Sequence, residues 1–201
     1  MRRSCSTIAT LISLAALTAA CASDHTAGST SSQLPTTEKL IIAAPVSQAP
    51  SQDPNGGKLV KYDPCMNIGD DMVTKTGFDP RTRKRSDQVH TGYAFISCRF
   101  DRKELVDGQN LSVGYLEISS TNITMDQFRK RAGAAASDIL IDGKSAITYA
   151  DPASESCNVV TTGPDNSIDI MVNTVGALTN WNGCSHLQEI ASIVNSEIPA
   201  S

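Results

Sequence analysis

The stretches TGYAFISCRF (91–100), DG (107–108) and LSVGYLEIS (111–119) decide the fold of this 201-residue chain. In the first, Ala94, Ile96, Cys98 and Phe100 occupy alternate positions, the period of a strand with one buried face. Asp107-Gly108 is a strong hairpin signal, because a two-residue turn matching the strand twist needs positive φ at both positions. Leu111 to Ser119 then returns as the partner strand. A β-hairpin is the centre from which the rest is read.

The same grammar repeats downstream. Ile139–Ile141 and Lys144–Tyr149 flank Asp142-Gly143, and Cys157–Thr162 and Ser167–Val175 flank Gly163-Pro164-Asp165-Asn166, a turn-forming run. Ile168, Ile170 and Val172 share one strand face. Helix signals stand between and around these strands. Asp63-Pro64 opens a first helix with Ile68, Met72 and Val73 on one face and Gly77 at its end. Thr124 caps a second, with Met125, Phe128, Ala132 and Ala135 on one face. Cys184, Leu187, Ile190, Ala191, Val194 and Ile198 mark a third, stopped by Pro199. Arg81 to Arg85 (RTRKR) reads as a basic loop. Strand pairs segregated by helices predict an α+β fold: an antiparallel sheet of about five strands with helices packed mainly on one face.

The N-terminus carries an address. Arg2 and Arg3 precede an apolar, small-residue run from Ile8 to Ala20, too short to cross a hydrocarbon core that needs about 20 apolar residues. The run ends Leu17-Thr18-Ala19-Ala20-Cys21, which resembles the bacterial lipobox, with Thr18 where an aliphatic residue is commoner. The alternative is an ordinary secretory peptide cut near Ala20 or Ala22. On the lipobox reading, residues 1–20 are a signal peptide and Cys21 receives the lipid. The protein is then held on the extracytoplasmic face of the cell membrane. Two or three acyl chains, at about 0.8 kcal/mol per buried methylene, make such anchoring stable.

Residues 21–57 are rich in Ser, Thr, Pro, Gln and Ala and read as a flexible tether, since they bury too little apolar surface to offset the entropy of ordering. Leu40-Ile41-Ile42 is an apolar island within it. Residues 58–201 read as one globular domain. Without Arg2 and Arg3, 15 basic residues face 21 acidic ones, a formal charge of −6. That balance argues against a nucleic-acid partner, which requires a basic surface.

Cys65, Cys98, Cys157 and Cys184 remain after export; Cys5 lies in the discarded segment. An even number in an oxidising compartment implies two disulfides, with three possible connectivities. Cys65–Cys98 and Cys157–Cys184 is the expected pairing, each bond tying a helix start to a strand. Wide spacing and the lack of Cys-x-x-Cys argue against zinc or a redox pair.

Asp63-Pro64-Cys65 after a Ser/Pro tether, Cys98 in a strand, Cys157 opening a late hairpin and Cys184 opening the last helix together resemble one family. It is that of the actinobacterial envelope lipoproteins carrying a domain of unknown function. The resemblance runs from about Tyr62 to Pro199 plus the lipobox. It implies a surface-anchored, disulfide-stapled domain and supplies no catalytic residues.

Chemistry-bearing motifs are sparse. No HExxH, GxSxG, SxxK or phosphate-loop pattern occurs, so no cofactor or catalytic residue is assigned. His90 and His186 stand apart in sequence, and Ser185 and His186, as helix neighbours, point in different directions. Asp70-Asp71 lacks the spacing of a calcium loop, so no metal is assigned. It reads as the solvated, dipole-favoured start of the first helix. Arg81, Arg83, Lys84 and Arg85 are candidates for gripping lipid heads or wall polymers, at about 1 kcal/mol each near a charged surface. Trp181 either packs over the Cys184 disulfide or presents an aromatic to a ligand. The expected role is a non-enzymatic binding or accessory module for an envelope protein or small ligand. The alternatives are an envelope hydrolase or transferase, or a lipid carrier.

Overall fold

The computed structural model describes residues 40–199 apart from 54 and 152. The expected signal peptide 1–20, Cys21 and the expected tether as far as residue 39 lie outside the described residues. The elements run α1 (Pro64–Asn67), α2 (Asp70–Lys75), β1 (Asp79–Arg85), β2 (Gln88–His90), β3 (Tyr93–Val106) and β4 (Gln109–Thr121). They continue α3 (Met125–Ala132), β5 (Ser137–Ile141), β6 (Lys144–Asp151), β7 (Ser156–Gly163), β8 (Asn166–Thr174) and α4 (Gly183–Glu197).

The eight strands form one sheet in the order β1-β3-β4-β8-β7-β6-β5, with β2 also on β3 and every pairing antiparallel. Asp107 and Gly108 have φ of 49° and 78°, and Asp142 and Gly143 have 50° and 77°. Both Asp-Gly pairs therefore take the positive-φ turn that their sequence dictates. The expected five strands become eight, and the fold is mostly β. Two of the additions correct the basic-loop reading: RTRKR lies within β1, and β2 continues the same edge along β3.

The inner face of the sheet holds the main core. Cys98 and Phe100 of β3, Leu116 and Ile118 of β4, and Ile168, Ile170 and Val172 of β8 pack against Ile68, Met72 and Val73. From α4 come Leu187, Ile190, Ala191 and Val194. Each such buried side chain contributes roughly 1.5–3 kcal/mol. A Cβ at Gly183 would strike Val172, so only glycine lets α4 begin this close to β8. The four cysteines join as Cys65–Cys98 and Cys157–Cys184.

Two further expectations change. The single helix read from Asp63 to Gly77 is two, because Ile68 is extended (φ −105°, ψ 122°) and Gly69 recaps the chain. Helices do pack mainly on one face, the inner one, with α3 as the exception: opened by a capping box between Thr124 and Gln127, it seats Phe128 with Ile147 and Val160 on the outer face. The part of the expected tether that is described, residues 40–53 and 55–57, lies along the domain. Ala43 N–H donates to Asp70 at 2.6 Å, Asp70 N–H donates to Ile41 at 3.0 Å, and Val46 packs on the main core. Gln52 exchanges two hydrogen bonds with Val60. Among the described residues no helix is long and apolar enough to cross a membrane.

Candidate functional site

Strand alternation sends every second residue of the central strands to the outer face. The pairing register lines them into rows. Arg99 (β3), Glu117 (β4), Met171 (β8), Asn158 (β7) and Tyr149 (β6) form one continuous row. Asp101, Tyr115, Asn173 and Ser156 form the row on one side of it, and Ser97, Ser119 and Asp169 begin the row on the other. α3 covers the end beyond Val160 and Ile147, where Phe95 meets Phe128 edge-on at 6.1 Å. The rows centred on Met171 and Asn173 lie under no helix among the described residues. Glu117, Met171, Tyr115 and Tyr149 are half-buried there beside the buried Asn158, and the half-buried Asp169 and the buried Ser97 and Ser119 border them in the adjoining row.

The electrostatics of this half-face are distinctive. Burial pushes the Asp169 carboxyl up to about 7; Asn158, donating at 2.9 Å, opposes the rise, and the neighbouring Glu117 adds to it. Asp169 keeps a partial opening to solvent, so the rise reflects dense surroundings rather than full enclosure. Burial also raises Glu117, against a Ser86 hydroxyl and the charge of Arg99. Tyr149 is raised by burial and by Asp169. Arg99 lays its guanidinium over the Tyr115 ring at 3.3 Å and reaches Asp101 only at 3.6 Å. The arrangement offers carboxyls able to take up or release a proton, two tyrosine rings and a flexible thioether. Tyrosine, methionine and arginine are the residue types enriched at protein interfaces.

The residues singled out from sequence lie elsewhere. Each cation of RTRKR meets a carboxylate: Arg81 with Asp79, Arg83 with Asp70, Lys84 with Asp101, and Arg85 with both Asp63 and Asp87. Arg83 is buried and stands over Phe100. Asp70 is buried in turn, which corrects the reading of Asp70-Asp71 as a solvated pair; Asp71 alone is exposed. Asp63 does cap α1, accepting from Cys65 N–H at 3.0 Å.

Trp181 is half-buried against the main core, edge-on to Phe78 at 5.8 Å, with Arg102 over its ring at 4.5 Å and His186 parallel to it at 6.0 Å. It divides two surface clefts. One of about 370 Å³ reaches Glu155, Thr174, Asn182 and Cys184. The other, about 280 Å³, is bounded by Lys75, Arg102, His186 and Ile190. His90 stacks on Tyr93 at 4.6 Å, in a different crevice from His186. Among the described residues no three of His, Cys, Asp and Glu gather as a metal site.

Sequence reading passed over Glu117, Asp169 and Met171. Their only sequence signal is weak: a single carboxylate among the outward positions of each of two strands whose inward positions are apolar. Neither the curated proteins nor the solved structures hold a significant match to this chain. One family does match, over residues 16–196, nearly the whole length. The chain belongs to the family described as protein of unknown function (DUF3558).

Proposed function

We propose that the protein is an exported lipoprotein, anchored through Cys21 on the extracytoplasmic face of the cell membrane, that works as a non-enzymatic binding module of the envelope. The observation that carries the binding role is the uncovered half of the outer sheet face around Glu117, Met171 and Asp169. A solvated sheet face normally carries long charged side chains; this one carries half-buried tyrosines, a methionine and two carboxyls with raised pKa. The signal-like residues 1–20 and two disulfides support the compartment. The space between inner face and helices is filled by core side chains, which favours a surface contact over a carried lipid.

The experiment places a photocrosslinking residue at position 171 and, separately, at the exposed Gln188 of α4 in intact cells. An adduct at 171 and none at 188 is expected. Equal adducts at both would remove the proposed surface. Membrane retention of a Cys21→Ser variant at the parent's level would remove the anchor.

A hydrolase reading draws on one observation, a carboxyl at Asp169 that titrates near neutrality beside Glu117, as a general acid–base pair does. Under that reading Asp169→Asn abolishes turnover of an envelope substrate while the fold persists; under ours there is no turnover to lose.

A further inference from the structure

The two edges of the sheet are built differently. At one end, β1 carries Pro80, five charged residues among its seven and a register shift between Asp79 and Lys84. Proline, charge and irregularity are the devices that stop a sheet edge from pairing with another chain. At the other end, β5 (SDILI) has no proline, no lysine and a regular register from Ser137 to Ile141. Its one charge, Asp138, is held by Arg129 at 2.6 Å. Among the described residues no strand lies beyond it.

The turn fixes which backbone groups face outward. In a two-residue hairpin the residues flanking the turn, here Ile141 and Lys144, exchange both hydrogen bonds. Alternation then turns Ile139 and Ser137 toward β6, and leaves the N–H and C=O of Asp138 and Leu140 directed away from the sheet. Leu140 is 67% exposed, a large aliphatic side chain beside open backbone groups. Ile139 below it is only half-buried.

We infer that β5 is a docking edge, which accepts a short extended segment of another polypeptide as a ninth, antiparallel strand through Asp138 and Leu140. The segment carries an aliphatic side chain beside Leu140 and no need for charge, since Asp138 is already paired. A second copy of this chain fits less well. The edge is five residues, about 17 Å long, and two such edges fall far short of the roughly 1,200 Å² that a stable dimer buries. β-Strand addition to a partner's segment needs no such area, because main-chain hydrogen bonds supply the affinity and alternate side chains the selectivity.

The test uses the full mature chain in detergent and a five-residue blocked peptide of alternating threonine and valine. At millimolar peptide, amide hydrogen exchange of Asp138 and Leu140 is expected to slow at least tenfold, with no change along β1. A peptide N-methylated on its bonding edge leaves exchange unchanged, and so does the intact peptide added to Leu140→Pro, measured at Asp138. That variant removes an outward N–H and none of the bonds to β6; the methylated peptide gives the same answer should it fail to fold. Unchanged exchange with the parent chain, or equal slowing by the methylated peptide, overturns the inference. Slowing that follows protein concentration without peptide overturns it in favour of a second copy.

Discussion

Asn158 donates its side-chain N–H to Asp169 at 2.9 Å, across the β7–β8 pair, and no ion pair to this carboxylate exists among the described residues. A carboxyl in dense surroundings with one amide donor and Glu117 nearby holds its proton to about pH 7. The consequence for stability has a definite sign. Between the unfolded value of 3.8 and about 7, the native state binds the proton that the unfolded chain has released. Stability therefore falls as pH rises through this window and is flat in this contribution above it. Asp169→Asn removes the dependence. Chemical denaturation at pH 4.5 and pH 8 is expected to show the variant gaining on the parent at the higher pH. The gain is at most about 4 kcal/mol, for a shift of about three units, and smaller to the extent that water reaches the carboxyl. The opposite sign would mean that Asp169 is ionised and stabilising in the fold.

Arg83 and Asp70 form the buried ion pair of the inner side, at 2.8 Å, and the other oxygen of Asp70 accepts Ala43 N–H. Removing one partner leaves the other buried and unpaired, a loss of about 3–5 kcal/mol. Arg83→Ala is expected to lower the denaturation midpoint by that amount, whereas Arg81→Ala, on the exposed Asp79 pair, changes it little. Asp70→Ala also frees the Ala43 amide, so hydrogen exchange there should approach that of an open chain. Retained protection at Ala43 would show that the segment 40–53 is held by its other contacts.

The two disulfides differ in access. Cys65 and Cys98 are wholly buried, while Cys184 is exposed beside the 370 Å³ cleft. A mild reductant applied to the native protein is expected to open Cys157–Cys184 first, leaving Cys65–Cys98 intact, as read by alkylation and peptide mapping. With loops of 33 and 27 residues, each bond contributes about 3.5 kcal/mol by the chain-entropy estimate. The double variant Cys157→Ala with Cys184→Ala should therefore still fold, with a loss near that figure.

What could be read from sequence follows the hydrophobic pattern closely. The alternation Ala94, Ile96, Cys98, Phe100, the Asp-Gly turns, the Thr124 cap and the apolar stripe of α4 each state their structure locally. β1 was illegible because arginines hold buried or half-buried positions along it. Arg83 and Arg85 find their carboxylates in α2 and ahead of α1, and such pairing across the chain leaves no apolar period to see. The candidate site was illegible for a related reason. Glu117 and Asp169 are 52 positions apart in the sequence, and each alone looks like an ordinary solvated residue of a strand. Only the strand order, which sets β4 beside β8, makes them diagonal neighbours on one face.

The most direct test of the open sheet face as a contact surface is oxidative footprinting of Met171, in purified protein and on intact cells. Met66, half-buried in α1 on the helix-covered side, serves as the internal reference. If the face is occupied in the envelope, oxidation of Met171 falls several-fold on cells while that of Met66 is unchanged. Equal oxidation of Met171 in both settings would leave the face exposed where it should be engaged, and would contradict the account.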